Sequence, residues 1–221
     1  MKNALIICTV ACFLDFEINN IKLLRKMGFK VYIATNFKGY EYMYYKMRNY
    51  YVEPYQVDFS RSPFSGHNVK AYINIKKLMK KEHWDLVHCH TPVGGVIARL
   101  AGKDLRKQGT KVIYTAHGFH FYKGAPLINW ILYYQIEKWL SKYTDVLITI
   151  NKEDYSLAQR KFLSPMIRYI PGVGIKLNEF NQKELGKKTV REELGISQEA
   201  LVMVSVGELN NNKNHIAVIN A

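Results

Sequence analysis

The chain has 221 residues, of which 48% are hydrophobic, and a formal net charge of +14. This hydrophobic fraction is sufficient for a packed core and excludes a disordered protein. No apolar run approaches the roughly 20 residues that a membrane-spanning helix needs. The charge predicts an anionic partner, such as a phosphate-bearing ligand, a nucleic acid or a membrane surface, unless it forms only a solvated basic face.

The first apolar run and the cysteines indicate a cytoplasmic protein. Asp15 and Glu17 follow the apolar residues 4–10 at once, so this run predicts a buried strand rather than a signal peptide. The three cysteines form an odd set without the spacing of a disulfide framework. We expect reduced thiols, with core packing favoured over metal binding for the Cys8 and Cys12 pair.

Short apolar runs alternate with segments of helical periodicity along the first 175 residues. The predicted strands are Leu5–Val10, Lys30–Ala34, Tyr51–Val57, Leu86–Cys89, Val112–Ala116, Val146–Ile150 and Ile167–Ile170. The predicted helices are Ile18–Met27, Asn68–Glu82, Val93–Arg106, Leu127–Leu140 and Lys152–Phe162. This alternation predicts an α/β fold with a doubly wound, mostly parallel sheet, since right-handed crossovers place helices on both faces.

The pattern changes after Gly174. Residues 176–200 are polar and predict a linker that contains one short helix, whereas Leu201–Val206 predicts a strand that is followed by a helix near Asn214. We therefore expect a first domain over residues 1–175 and, over 201–221, only the first βα unit of a second domain. One strand and part of a helix cannot bury a core of their own.

Two predicted strands end in histidine. His88 and His90 close the fourth strand, and His117 follows the fifth and precedes Gly118. The carboxyl ends of parallel strands form the ligand crevice of an open α/β sheet, where an imidazole can bind a sugar hydroxyl or a phosphate. A buried structural histidine is the alternative. These histidines and His120 lie on two strands and a loop, and a zinc site needs about four converging ligands, so we expect no metal.

Other motifs restrict the function further. No G-x-G-x-x-G follows the first strand and the Walker-type motif is absent, which argues against nicotinamide, flavin and P-loop enzymes. Lys213 lies beside a predicted helix start and could hold a phosphate. Residues 40–51 interleave tyrosine with basic residues, as in a membrane-interface or base-stacking segment, or in an ordinary helix and strand with a tyrosine-rich packing face.

Five segments in this order and spacing resemble the bacterial glycosyltransferases of family 4, whose two-domain fold is GT-B with Rossmann-like domains. The matching stretches are Val87–Pro92, Tyr114–Phe119, Leu147–Asp154, Ile170–Gly174, and Val206–Leu209 with Lys213 and Asn214. The members that build exopolysaccharide or capsule repeat units look most similar.

The resemblance implies a retaining transfer of a sugar from a nucleotide-sugar donor, usually a UDP-sugar, without a metal or other cofactor. It places His117 at the transferred sugar, and Lys213 at the donor diphosphate. Glu208 stands where many relatives carry arginine, and a carboxylate cannot clamp a phosphate. The acceptor, a lipid-linked or other saccharide, would lie against the first domain. The remaining candidates for substrate binding are Gly118, Phe119, His90, Thr91 and Phe13.

Further expectations concern the whole chain. The resemblance implies a cytoplasmic protein, peripheral on the inner face of the cell membrane, and a polypeptide of this length is expected not to catalyse transfer by itself. The alternative function is a non-catalytic basic protein that binds anionic membrane or nucleic acid, with nucleic acid less favoured since no known binding motif accompanies the charge. A metal-dependent hydrolase built on the histidine cluster is a third possibility.

Overall fold

The computed structural model describes residues 2–172, 174, 187–210 and 213–220. These fall into two units, Met1–Gly174 and Ile175–Ala221. The strands are β1 Lys2–Val10, β2 Phe29–Asn36, β3 Glu53–Gln56, β4 Leu86–His90, β5 Lys111–Ala116, β6 Val146–Thr149 and β7 Met166–Tyr169. The helices are α1 Ile18–Lys26, α2 Glu41–Asn49, α3 His67–Met79, α4 Pro92–Gly102, α5 Leu127–Asn129, α6 Gln135–Ser141, α7 Lys152–Lys161, α8 Lys187–Glu193 and α9 His215–Ile219.

All seven strands form one parallel sheet in the order β3-β2-β1-β4-β5-β6-β7. The order reverses between β1 and β4, so the chain winds outward in both directions from this pair. This confirms the predicted doubly wound parallel sheet. In such a sheet the ligand crevice lies beyond the carboxyl ends of the strands at the reversal.

Two buried clusters cover the two faces of the sheet because alternate side chains of each strand point to opposite sides. On one face Leu5 and Val87 pack beneath α3 and α4. On the other face Ile6 and Ile33 pack beneath α1 and α2. The central strands are mostly apolar, as expected for strands that are buried on both faces, and their buried polar residues lie towards the carboxyl ends, at Thr9, His88, His90 and Thr115.

Several element boundaries differ from prediction. Residues Ala11–Glu17, to which no element was assigned, form a 3₁₀-helix, and Glu41–Asn49 forms a helix whose Met43 and Met47 are buried. The segment predicted as one helix over Leu127–Leu140 is interrupted by a π-helical stretch at Trp130–Tyr134. The helix predicted to reach Arg106 ends at Gly102. The tyrosines of this segment divide between the two interpretations, since Tyr40, Tyr44 and Tyr50 pack against the core whereas Tyr42, Tyr45 and Tyr51 are exposed.

The second unit corrects one prediction. Leu201–Val206 is not a strand, and all six of its residues are exposed. A strand needs a partner for its backbone hydrogen bonds, and no neighbouring strand pairs with this segment among the described residues. The two helices predicted in this region are present as α8 and α9. Residues 176–186 of the predicted linker lie outside the described residues, and the predicted domain boundaries stay predictions.

Candidate functional site

The carboxyl ends of β1 and β4 are joined by two threonine hydroxyls. The oxygens of Thr9 and Thr91 lie 2.6 Å apart, and Thr91 also accepts from the Thr9 amide. Thr91 has a φ of 64°, a conformation that costs a non-glycine residue about 1–3 kcal/mol and is concentrated at functional sites. Thr91 was a candidate for substrate binding, but its hydroxyl is occupied by these contacts and by donation to the His90 carbonyl.

Two glycines at the start of α4 allow this helix to approach the sheet. A Cβ on Gly94 would lie 2.9 Å from the Thr91 hydroxyl and 3.3 Å from the backbone of Cys8. A Cβ on Gly95 would lie 2.5 Å from the ring of Tyr114 on β5. The close approach is therefore to protein atoms, and it fixes the amino-terminal end of α4 over β1, β4 and β5.

Glu17, His90 and His117 form a continuous polar chain at the bottom of the crevice. His90 is fully buried at the end of β4, and its Nδ1 lies 3.3 Å from Nε2 of His117 at the end of β5. Nε2 of His90 lies 3.2 Å from Oε2 of Glu17, at ion-pair distance although not aligned for a straight hydrogen bond. Glu17 also accepts from the amide of Asn20 at 2.9 Å. This row of contacting side chains runs from the buried carboxylate of Glu17 to the half-buried imidazole of His117.

Burial and neighbouring charges determine the protonation of this chain. Burial alone would raise the pKa of Glu17, but hydrogen bonding and charge from His90, with smaller contributions from His88 and Asn20, hold it at about 2. Burial lowers the pKa of His117 to about 4, an effect strengthened by His90 and opposed by Glu17. At neutral pH the carboxylate is therefore ionised and the His117 ring is uncharged.

His88 serves the packing of the site. Its Nε2 lies 2.9 Å from the hydroxyl of Thr115 on β5, and its ring stacks obliquely on His90 with centroids 4.1 Å apart. Burial, with the charge of His90, lowers the pKa of His88 to about 3. This uncharged, buried ring supports His90 from the side.

Phe13 covers the histidine pair from the 3₁₀-helix after β1. Its ring meets His117 edge-on with centroids 4.6 Å apart, and lies 5.3 Å from His90. The structure thus brings together three of the predicted site residues, which come from three separate segments of the chain. An aromatic wall of this kind excludes water from the imidazoles and restricts the orientation of the His117 ring.

Gly118 and Phe119 lead the chain away from β5. Gly118 has a φ of 117° and is exposed, whereas the Phe119 ring is buried and stacks on Phe121 at 4.7 Å. The Phe119 amide donates to Asp154 at the start of α7, and Asn151 donates to the same carboxylate. The Phe119 side chain therefore belongs mainly to the core, and its backbone fixes the loop that carries His117.

An apolar cavity of about 210 Å³ opens beside this loop. Its walls are formed by the start of α4, the loop after β5 and the helical segments that follow it. The lining includes Phe64, Val93, Ile97, Gly118, Phe119, His120, Phe121, Leu132, Tyr133 and Ile136. Exposed apolar side chains continue outside it at Leu127, Ile128 and Ile131. Among the described residues no helix is long and apolar enough to cross a membrane.

One group of side chains could offer ligand atoms to a metal. Atoms of Glu17, His88 and His90 all lie within 4.8 Å of one another. Glu17 contacts His90 and Asn20, and His88 contacts Thr115. Contacts within the protein therefore account for the positions of all three side chains. His117 is not a member of this group. The expected absence of metal stays a prediction.

Lys213 and Glu208 belong to the second unit. The backbone amide of Lys213 donates to the side chain of Asn210 at 3.0 Å, and Asn210 donates to Glu208 at 3.0 Å. Both Lys213 and Glu208 are exposed. These contacts hold the turn before α9, so the predicted phosphate role of Lys213 stays a prediction.

Sequence reasoning missed two features of this region. Glu17 was considered only as evidence against a signal peptide, although the 3₁₀-helix after β1, which it ends, places it at the reversal of the sheet. The second is the buried pair Arg99 and Glu137, joined by two hydrogen bonds of 2.8 and 3.0 Å beneath the cavity. A charged residue on the otherwise apolar α4 was the available signal for it.

The doubly wound parallel sheet, with histidines at the carboxyl ends of β4 and β5, has the architecture of the α/β domains of the GT-B class. The chain belongs to the family described as glycosyl transferase 4-like, whose model matches residues 7–151. It is 42% identical over 213 residues to "Putative glycosyltransferase EpsD" of Bacillus subtilis, covering 95% of this chain and 54% of that protein.

A second relative is the "UDP-Gal:alpha-D-GlcNAc-diphosphoundecaprenol alpha-1,3-galactosyltransferase" of Escherichia coli, 32% identical over 151 residues. That match covers 66% of this chain and 38% of the relative. The chain therefore spans about half of the length, or less, of these relatives.

Solved structures agree with the fold. The Staphylococcus aureus MnaA complex with UDP has a TM-score of 0.60 at 10% identity, covering 88% of this chain and 52% of that one. Anabaena HepE, solved with UDP and glucose, has a TM-score of 0.57 at 12% identity. The match covers 88% of this chain and 50% of the HepE chain. At these identities the likeness shows the fold alone, and it confirms the predicted GT-B architecture.

Proposed function

We propose that this chain is the acceptor-side part of a retaining glycosyltransferase of cell-surface polysaccharide synthesis. It would work on a nucleotide-sugar donor, a UDP-sugar, and a lipid-linked or saccharide acceptor. The observation that carries the proposal is His117, which follows β5 beside the end of β4 and contacts His90 and Phe13 in a chain of this family. The galactosyltransferase relative supports the donor and acceptor classes by its name.

His117 is assigned to the transferred sugar. Its ring is half-buried, uncharged at neutral pH and bonded to protein through Nε2. Its Nδ1 has no hydrogen-bond partner among the residues that the structure describes. A neutral imidazole with one engaged nitrogen can bind a hydroxyl group without the desolvation cost of a full charge.

The acceptor is assigned to the apolar cavity next to the histidine loop. Gly118 and His120 lie on its wall, so an apolar chain in the cavity would bring its polar end close to His117. A cavity lined mainly by aliphatic and aromatic side chains suits a lipid-linked acceptor better than a free sugar. The basic charge of the chain and the exposed apolar residues after Pro126 support a location on the inner face of the membrane.

The donor diphosphate is assigned to Lys213. Glu208 is not assigned to phosphate because a carboxylate would repel it and because it accepts a hydrogen bond from Asn210. No metal or other cofactor takes part in the proposed transfer. The chemistry then depends on leaving-group stabilisation by cationic and backbone groups.

The experiment uses a form of the protein that carries these residues together with a donor-side domain. Radiolabelled UDP-sugars are offered with an undecaprenyl-diphosphate-linked sugar, and the lipid product is measured with and without EDTA. We expect transfer that resists EDTA and an approximately hundredfold loss in His117→Ala. The exposed His83→Ala is the matched control and should retain activity.

Two results would count against the proposal. If His117→Ala kept its activity within threefold of the unaltered protein, His117 would not have the assigned role. If the protein bound oligonucleotides in a salt-sensitive way and transferred no sugar, the alternative of a non-catalytic basic binding protein would be favoured. The 221-residue chain assayed alone is expected to show no turnover.

A further inference from the structure

An open pocket of about 470 Å³, the β3-edge pocket, lies outside the roles assigned above. It is formed by α2, the turn after α2 and the first residues of β3. Neighbouring strands lie about 4.8 Å apart, so β3 is about 14 Å from β4 and about 19 Å from β5 in this sheet. The pocket is therefore separate from the crevice that contains His117. Its lining includes Tyr44, Arg48, Tyr51, Glu53, Pro54 and Tyr55.

Tyr51 has a backbone conformation that usually belongs to glycine. Its φ is 56°, and it lies in the turn that ends α2. The amides of Tyr51 and Val52 donate to the carbonyls of Arg48 and Met47, an arrangement that commonly ends a helix with glycine at this position. A bulky residue is strained in this conformation, and such strain is concentrated at functional sites. Since the side chain of Tyr51 is 80% exposed, core packing does not account for it.

Arg25 of α1 holds the Tyr51 ring in place. Its Nη1 donates to the carbonyl oxygens of Tyr50 and Tyr51 at 2.6 and 3.1 Å. Its guanidinium lies 4.7 Å from the centre of the Tyr51 ring, where the cation is attracted to the face of the aromatic ring. One face of this exposed ring is thus covered, and the ring lines the pocket in a fixed orientation.

The other two tyrosines of the pocket are fixed from behind by the core. Tyr55 stacks on Tyr32 with ring centroids 6.1 Å apart, and Tyr44 meets Phe37 edge-on at 5.4 Å. Within the part of the chain that the structure describes, the hydroxyls of the three pocket tyrosines and the guanidinium of Arg48 have no hydrogen-bond or ion-pair partner. The pocket therefore combines rigid aromatic rings with hydrogen-bonding groups that a ligand can use.

The chemistry of the lining favours an uncharged, polar ligand. Arg48 is opposed by Glu53, which pairs with Lys30 at 2.6 Å, so a phosphate would meet a carboxylate at the pocket wall. A lipid chain would take water from the guanidinium and the phenol hydroxyls without replacing their hydrogen bonds. A saccharide fits both features, since its C–H faces stack on aromatic rings while its hydroxyls donate and accept. Pockets of about 300–1,000 Å³ bind drug-sized ligands, the size of a di- or trisaccharide.

We propose that the β3-edge pocket is an accessory binding site for an uncharged oligosaccharide of about two or three sugar units. Tyr51 stacks on one sugar ring, and Arg48 and Glu53 bind its hydroxyls. The saccharide held there is not the reacting sugar, because the pocket is two strands removed from the β1–β4 reversal in the direction away from His117. Its effect is to raise the concentration of a saccharide chain near the enzyme. The proposal goes beyond the proposed function.

Saturation-transfer nuclear magnetic resonance of the 221-residue chain tests the binding of saccharides. Aromatic protons of the protein are saturated in the presence of maltotriose, cellotriose or triacetylchitotriose, and the signals of the sugar protons are measured. We expect saturation of the C–H protons of at least one trisaccharide, whose Kd is then obtained by titration. If none of the three receives saturation, the inference is wrong.

Tyr51→Gly separates ligand binding from folding. Glycine is favoured at this helix end, so the urea midpoint should stay the same or rise, whereas Kd should increase about tenfold with the loss of the stacking ring. Arg48→Gln should raise Kd about threefold to tenfold through the loss of hydrogen bonds to the sugar. Tyr42→Ala removes an exposed tyrosine of the same helix outside the pocket, and this matched control should leave Kd unchanged. A Kd for Tyr51→Gly within about twofold of the unaltered value would overturn the inference.

Two other probes distinguish the saccharide from other ligands of aromatic pockets. Oligodeoxythymidine tests base stacking, and a polyproline peptide tests binding in an aromatic-lined groove. Tighter binding of either probe than of every trisaccharide, weakened by Tyr51→Gly, would overturn the inference. None of these measurements requires a donor or sugar transfer, so failure of the proposed function and failure of this inference are distinguished.

Discussion

Removal of the buried arginine of α4 should destabilise the protein strongly. Arg99 is 1% exposed, and its guanidinium makes two hydrogen bonds to Glu137 and one of 2.9 Å to the Gly95 carbonyl. It also lies 3.9 Å from the centre of the Tyr114 ring, whose hydroxyl donates to Glu137. The polar groups of Arg99, Glu137 and Tyr114 therefore rely on one another for hydrogen-bond partners.

The expected magnitude follows from the groups that Arg99→Leu leaves behind. Glu137 would stay buried with only the Tyr114 hydroxyl as partner, and breaking a buried pair in this way costs about 3–5 kcal/mol. The double variant Arg99→Leu with Glu137→Leu removes both charges. It leaves one neutral group unpaired, the Tyr114 hydroxyl, at about 1 kcal/mol, because the Gly95 carbonyl still accepts the helical bond from the backbone amide of residue 99. The double variant should therefore be more stable than Arg99→Leu by about 2–4 kcal/mol.

Urea unfolding followed by tryptophan fluorescence at pH 7.5 measures these differences. Lys46→Leu is the control, because Lys46 pairs with Asp15 at 2.6 Å with both side chains more than a third exposed, and its loss should cost about 1 kcal/mol or less. Additive losses in the double variant would refute the reasoning, since they would show that the two charges do not depend on each other.

Three further predictions follow from the packing and protonation of the amino-terminal unit. Gly95→Ala should lower the unfolding free energy by about 1–3 kcal/mol in urea unfolding, because the added methyl meets the buried Tyr114 ring at 2.5 Å, and an unchanged value would contradict the close packing. The pKa values of His88 and His117, about 3 and about 4, lie below the unfolded value of 6.5, so the stability that these neutral rings contribute is lost as pH falls below 6.5. Between pH 6 and 4 the two rings together should give a slope approaching about 2.7 kcal/mol per pH unit, and His88→Gln should roughly halve it. Cys12 is the exposed thiol, while burial raises the pKa of the other two to about 12, so a thiol reagent should modify one cysteine in the folded protein, three in urea, and none in folded Cys12→Ser.

The central sheet could be predicted from sequence because its strands are short apolar runs that alternate with helical segments. Val112–Ala116 and Lys30–Ala34 differ from the observed strands by no more than two residues at either end. Leu201–Val206 has the same composition but is not a strand. Apolar composition indicates the tendency to form a strand, whereas the strand itself depends on a neighbour that supplies hydrogen-bond partners.

The candidate site could be predicted only in part. His90 and His117 were recognisable because they end strands, and the parallel sheet brings strand ends together. Glu17 was not, since its role depends on the 3₁₀-helix after β1 and on strand order, neither of which has a local pattern. The contact of the Thr91 hydroxyl with Thr9 across the sheet reversal was not foreseen either, and the assignment of Thr91 to substrate binding stays a prediction. Pairings between distant segments are determined by topology, and a single sequence shows topology only indirectly.

The outer strands of the sheet have a consequence for self-association. Among the described residues β3 and β7 are the two edges, each four residues long. Pro54 removes one backbone donor from β3, and Glu53 beside it pairs with Lys30, while β7 carries Arg168. Short edges with proline and charge are poor templates for another strand. Concentrated samples of the folded domain should therefore resist fibril growth by edge-to-edge addition.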